Sequence, residues 1–98
     1  MAGRGAGVLV TGLYRKKPVE VTARCVSTAN VREVADWCHG VVVSEGANVY
    51  MDGNKAISIS TLEGVMYADY GDWVIRGVEG EFYPCKPAIF LATYEAIS

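Results

Sequence analysis

The stretch Trp73-Val74-Ile75-Arg76-Gly77-Val78-Glu79-Gly80-Glu81-Phe82-Tyr83-Pro84-Cys85 decides the fold. Two runs rich in β-branched and aromatic residues flank a glycine-bracketed loop, Gly77 to Gly80, which is the pattern of an antiparallel hairpin. Counting outward from that loop predicts Arg76 opposite Glu81, Ile75 opposite Phe82 and Val74 opposite Tyr83. The first pair is opposite in charge and the second apolar, as a cross-strand register favours. Pro84 has no N–H for a ladder, so the second strand is expected to end early or lie at a sheet edge. Pro87 suits the first position of a short helix running to about Ala92, and Tyr94 to Ile97 reads as a last strand.

Upstream, the same period of two recurs. Val65 to Ala68 is a strand, entered by a turn at Leu62-Glu63-Gly64 and left through Asp69-Tyr70-Gly71-Asp72. Lys55 to Ser60 alternates with Ile57 and Ile59 inward and Ser58 and Ser60 outward. Asp52-Gly53 signals a hairpin turn back to Ala47–Met51, itself preceded by a turn at Glu45-Gly46 and a strand at Val41-Val42-Val43. Pro18 to Val26 alternates too, placing Val19, Val21, Ala23 and Cys25 on the core side and Glu20, Thr22 and Arg24 on the other.

One segment has helical period. Val31, Val34, Ala35 and Cys38 fall at i, i+3, i+4 and i+7, a single apolar stripe flanked by Trp37. Asn30 is the expected N-cap, with Glu33 three places on in a capping-box-like pair. Gly40 is expected to end the helix in a left-handed conformation. About ten residues of helix do not stand alone and must pack on a sheet. The expectation is therefore α+β: five to seven short strands in a mainly antiparallel sheet, packed by one helix at about 30–39, with a short C-terminal helical turn. No internal repeat is present.

Composition bounds the function. The 98 residues are 51% apolar and 20% charged, which fits one globular domain and excludes wholesale disorder. No apolar run approaches the roughly 18–20 residues of a membrane-spanning helix. The net charge of −2 argues against a general nucleic-acid binder. Charge is nevertheless uneven. Arg4, Arg15, Lys16 and Lys17 stand without an acid in residues 1–17, while residues 18–98 carry five basic and eleven acidic side chains. Residues 1–12, rich in glycine, are expected to form a flexible basic arm on a domain spanning 13–98. Within the arm, Val8-Leu9-Val10 can add a strand to this chain or a neighbour. Gly3 to Gly7 has glycines like those of a phosphate loop, but it follows no strand. Gly7 to Val10 is too short for a secretory h-region, and three cysteines without a Cys-x-x-Cys fit a reducing cytoplasm.

Catalytic and metal patterns are weak. Cys25, Cys38, Cys85 and His39 lack the close spacing of a structural zinc site, and Cys25 and Cys38 both fall on predicted core faces. Cys38 and His39, adjacent on a helix, point about 100° apart and make a poor thiolate–imidazole pair. Asp69 with Asp72, and Glu79 with Glu81, bracket turns, where carboxylates usually hold their own backbone. No cofactor is expected. The most suggestive set is aromatic and basic: Tyr67, Tyr70, Trp73, Phe82 and Tyr83 lie within seventeen residues, together with Arg76 and Lys86. Rings that stack and cations that hold an anion suit a nucleotide-like ligand. Tyr70, Trp73, Arg76, Tyr83 and Lys86 are the expected contacts.

The segment Gly71 to Phe90, GDWVIRGVEGEFYPCKPAIF, resembles a family of small bacteriophage and prophage proteins of mostly uncharacterised role. Tyr14-Arg15-Lys16-Lys17-Pro18-Val19-Glu20 is similar to the start of that family's first strand, and Thr61-Leu62-Glu63-Gly64-Val65-Met66 to its middle turn. The likeness spans about Tyr14 to Glu95. Where the family carries proline before the Gly-Asp-aromatic step, this chain has Tyr70. The resemblance implies a phage product made in the bacterial cytoplasm and brings no catalytic residues. The resulting expectation is a non-catalytic accessory protein that binds a host protein or a small anionic ligand, with countering host defence as one role. A structural or assembly protein of the virion, forming a homo-oligomer through its arm or an edge strand, is the second expectation. A small enzyme using Cys85 or a carboxylate pair is the third.

Overall fold

A computed structural model describes residues 11–44 and 54–97. Their elements run β1 (Thr22–Cys25), α1 (Val31–Cys38), β2 (Val41–Val42), β3 (Lys55–Thr61), β4 (Gly64–Asp69), β5 (Trp73–Arg76), β6 (Phe82–Cys85) and α2 (Pro87–Thr93). The six strands form two three-stranded antiparallel sheets, ordered β1-β5-β6 and β2-β3-β4. The α+β class is as expected. The strand at Ala47–Met51, the turns at Glu45-Gly46 and Asp52-Gly53, and residues 1–10 of the arm lie outside the described residues. No described helix is long and apolar enough to cross a membrane.

The decisive hairpin forms, with its register one residue away from expectation. Arg76 pairs with Phe82, Ile75 with Tyr83, Val74 with Pro84 and Trp73 with Cys85. The loop is longer than the glycines suggested. Gly77 N–H donates to Glu81 O (2.7 Å), Gly80 N–H donates to Gly77 O (3.1 Å), and Gly80 takes φ +83°. This is a turn closed by a left-handed residue, and the loop spans Gly77 to Glu81, five residues rather than the four expected, which moves Glu81 out of the strand. The Glu81 carboxylate then folds back to accept the Glu79 N–H at 2.9 Å. A shift of one reverses every side chain, so Phe82 shares a face with Arg76, and Tyr83 shares one with Ile75. Pro84 sits in an edge strand, as its missing donor requires.

The other elements confirm the periodicities and correct several ends. Val31, Val34, Ala35 and Cys38 are all buried in α1. Ile57 and Ile59 are buried in β3 between exposed or half-buried serines. α2 begins at Pro87 as expected, but Tyr94 to Ile97 is not a strand. β1 begins only at Thr22, and Cys25 is exposed, contrary to its assignment to the core. The face that carries Ala23 and Cys25 is covered by Phe90 and Tyr94 of the C-terminal segment on its β5–β6 side. Phe90 stacks on Trp73 at 4.1 Å and 7°, leaving the β1 edge in solvent. The buried residue is Val26, one place later, whose N–H and C=O bind Asp72 O and Gly71 N–H at 2.8 and 2.9 Å.

Asn30 precedes α1 without a side-chain cap bond to the helix. Its amide instead braces the β1–α1 connection, accepting from Ser27 N–H and donating to Cys25 O, both at 2.8 Å. At the other end the left-handed residue is His39, φ +58°, rather than Gly40. Gly40 N–H returns to Ala35 O (2.8 Å) and His39 N–H to Asp36 O (3.4 Å), the paired bonds of a Schellman ending. Glycine at 40 serves close approach: a Cβ there would lie 2.7 Å from both Ile57 Cγ2 and Ser58 O. The helix can thereby drop directly onto β3, where Val26, Val31, Val34, Ala35, Cys38, Ala56, Ile57, Ile59, Ala68 and Val74 form the core.

Gly40→Ala should therefore force α1 off β3 and destabilise the fold by about 2 kcal/mol, the usual cost of overpacking. A urea-unfolding midpoint unchanged from wild type would contradict this contact.

Candidate functional site

The two sheets are joined where β4 ends and β5 begins. Asp69 to Asp72 make a tight turn, with Asp72 N–H donating to Asp69 O (3.0 Å) and Gly71 at φ +95°. The Asp72 side chain is buried. Its Oδ2 accepts Asp69 N–H at 2.9 Å and Lys86 Nζ at 2.9 Å, while Lys86 also reaches Asp69 Oδ2 at 2.7 Å. Lys86 follows β6, so this cluster fastens the base of hairpin β3–β4 to the base of hairpin β5–β6. The two carboxylates hold the Lys86 ammonium above its ordinary pKa, first through the hydrogen bond to Asp69 and then through that to Asp72. Tyr70 adds a second tie, its hydroxyl donating to Ser44 O.

At the opposite end the hairpin tips part, and a groove of about 900 Å³ opens between them and the C-terminal end of α1. Trp37, Cys38 and His39 form one wall, the β3–β4 tip from Ser60 to Glu63 another, and Arg76 with Gly80 to Tyr83 the third. Phe82 forms an aromatic centre, edge-on to Trp37 (5.1 Å, 75°) and to His39 (5.8 Å, 76°). Arg24 lies over the Trp37 ring at 4.6 Å. The β3–β4 tip is held by Thr61, whose hydroxyl donates to Gly64 O (2.7 Å) and accepts Glu63 N–H (3.1 Å). This projects Leu62 at 99% exposure. Arg76 stands against Glu63 and Glu81 among the charged lining residues, so the groove has no strong anionic preference.

The five contacts expected from the sequence do not converge. Trp73 is covered by Phe90, and Tyr70 is spent on Ser44. Lys86 is held by two carboxylates and is no free cation for a ligand. Tyr83 borders the groove but turns its hydroxyl to that of Tyr94 at 3.4 Å. Arg76 alone combines exposure with a place in the groove wall. The groove is lined also by Leu62, His39 and Trp37, which were not among the expected contacts. An apolar leucine at the summit of a turn was the one available signal; the other two depend on where α1 ends relative to the hairpins.

The thiols have separate environments. Cys38 is buried and burial pushes its pKa up, away from the thiolate a nucleophile needs. Burial also raises Cys85, helped by the nearby negative Asp72 and opposed by Lys16. Among the described residues no group of three or more His, Cys, Asp or Glu is placed to hold a metal ion. The carboxylates at both turns bind their own backbone, as the turn chemistry anticipated.

No family model, curated protein or solved structure matches the chain.

Removing the Lys86 ammonium leaves Asp72 buried with one fewer donor. Lys86→Met should cost about 1 kcal/mol, limited by the solvent exposure of the lysine, and a chemical-denaturation curve superposing on wild type would refute the tie. Tyr83 is pushed up to about 12 by burial, then by the Tyr94 hydroxyl and nearby Glu81. Its neutral phenol is favoured by folding, so that contribution is complete below pH 10 and disappears as the pH climbs toward 12. The stability gap between wild type and Tyr83→Phe should narrow over that alkaline window; a constant gap would show that the phenol is not coupled to folding.

Proposed function

We propose that this protein is a non-catalytic binding module that docks a bacterial protein in the groove between its hairpin tips. The single observation carrying this reading is the groove itself: an aromatic centre of Phe82 against Trp37 and His39, beside an exposed Leu62 and a single arginine in the wall. An apolar or aromatic side chain from a partner fits that centre, and a neighbouring carboxylate fits Arg76. Buried aromatics and arginine are what dominate protein interfaces energetically. A nucleotide-like anion fits less well, because Trp73 and Lys86 are engaged within the fold and Glu63 and Glu81 line the same groove as Arg76. The likeness of Gly71–Phe90 to phage proteins supports an accessory protein acting in the cytoplasm of an infected bacterium.

Immobilised full-length protein should retain a bacterial protein saturably. Leu62→Asp with Arg76→Glu should abolish that retention, while Leu91→Asp, on exposed α2 away from the groove, preserves it. Leu62 and Arg76 are exposed, so these changes leave the core intact. Retention unaltered by the groove substitutions would overturn the assignment.

A further inference from the structure

α2, Pro87-Ala88-Ile89-Phe90-Leu91-Ala92-Thr93, carries no charged side chain and contains no buried residue. Phe90 turns inward onto Trp73, and Tyr94 follows it one turn later against the same ring. Those two rings hold one side of the helix to the sheet. Ile89 and Leu91 stand on its flanks, 58% and 76% exposed, and Ala88 and Ala92 complete an exposed outer side. Contiguous apolar surface left in water marks an interaction site. The chain before β1 brings charge to the same place. Lys16 Nζ lies over the Tyr94 ring at 5.2 Å, and the positive charge of Lys16 also reaches Cys85 of β6. The segment around Lys16 thus passes beside the C-terminal end of α2. Arg15 and Lys17 flank that contact, and Leu13 precedes them, all exposed. Across residues 11–19 and 87–94 the charged side chains are Arg15, Lys16 and Lys17; carboxylates begin at Glu20 and Glu95. Among the described residues no carboxylate pairs with any of these three cations.

We infer that α2 and the Leu13–Lys17 segment together form a docking surface for an anionic lipid bilayer, on which the protein lies without crossing it. The two halves of the patch supply the two signals that such binding needs. Apolar side chains enter the headgroup boundary, and cations meet acidic headgroups. The chemistry selects lipid over other anionic partners. A duplex nucleic acid would engage the cations and leave Ile89 and Leu91 in water. An acidic protein surface would meet, across α2, a face with Thr93 as its single side-chain hydrogen-bonding group. Protein interfaces carry about one hydrogen bond per 100–200 Å², whereas the hydrocarbon boundary of a bilayer asks for none. This surface stands apart from the groove, since α2 packs on the opposite face of the first sheet from Phe82, so the two readings fail independently.

Flotation of the full-length protein with lipid vesicles tests it. Vesicles of equimolar phosphatidylglycerol and phosphatidylcholine should carry the protein upward at low salt. Vesicles of phosphatidylcholine alone should carry much less, because the cations then have no counter-charge. Raising the salt to about 0.5 M should weaken the anionic binding, since screening then acts within a few ångström. Arg15→Glu with Lys17→Glu should weaken it by roughly tenfold or more, at about fivefold per cation removed. Ile89→Gln with Leu91→Gln, which leaves the charge unaltered, should also weaken it by roughly tenfold. All four positions are exposed, and an unchanged circular dichroism spectrum verifies folding. Four results would overturn the inference: no flotation with the anionic vesicles at low salt, which would leave the patch to a protein; flotation indifferent to the glutamine pair, which would reduce the contact to charge alone; flotation lost on deletion of residues 1–10, which would assign the contact to that segment; or a short duplex DNA that binds at the same salt and is not displaced by the vesicles, which would assign the cations to nucleic acid.

Discussion

The buried carboxylate of Asp72 is the constraint on which the arrangement depends. A charged group at 3% exposure persists only when its hydrogen-bond capacity is met. Here it receives a backbone donor from the end of β4 and an ammonium from the residue after β6. Satisfying one carboxylate thus fixes the turn between the two sheets and the separation of the two hairpin bases. The tips, at the far ends of the same strands, inherit their spacing from this clamp, and the groove is the space left between them.

Packing completes what the clamp begins. The close approach at Gly40 lowers α1 onto β3, so the left-handed ending at His39 delivers an imidazole beside Phe82. On the opposite face of the first sheet, Phe90 lies flat on Trp73 and Tyr94 meets Tyr83. Four of the ten Phe, Trp and Tyr residues are thereby spent on cohesion, which a small domain requires because it buries a modest fraction of its surface. Among the described residues, Trp37, Phe82 and His39 line the groove between the hairpin tips.

Much of the fold was legible. The stripe of α1, the alternation of β3 and the proline start of α2 are each dictated by burial of one face at a fixed period. The failures have physical causes that local pattern does not carry. The hairpin register depended on whether Glu81 would pair with Arg76 or cap its own loop, and the left-handed Gly80 decided for the loop. Cys25 was misplaced because alternation names a face without saying how far the covering helix extends across it. The residues that line the groove were harder still. Lys86 and Trp73 had the right chemistry for a ligand, but their partners Asp69, Asp72 and Phe90 come from segments whose proximity only the tertiary fold reveals. Leu62, conversely, was visible in its turn without any sign that a groove lies beside it.

The most direct measurement is the relative orientation of hairpins β3–β4 and β5–β6 from residual dipolar couplings of the full-length protein, in wild type and in Lys86→Met. If the Asp72–Lys86 clamp sets the groove, wild-type couplings from both hairpins fit one common alignment. In the variant each hairpin should keep its internal geometry while the two change orientation or average. Couplings that still fit the wild-type orientation in Lys86→Met would show that the groove is shaped without the clamp.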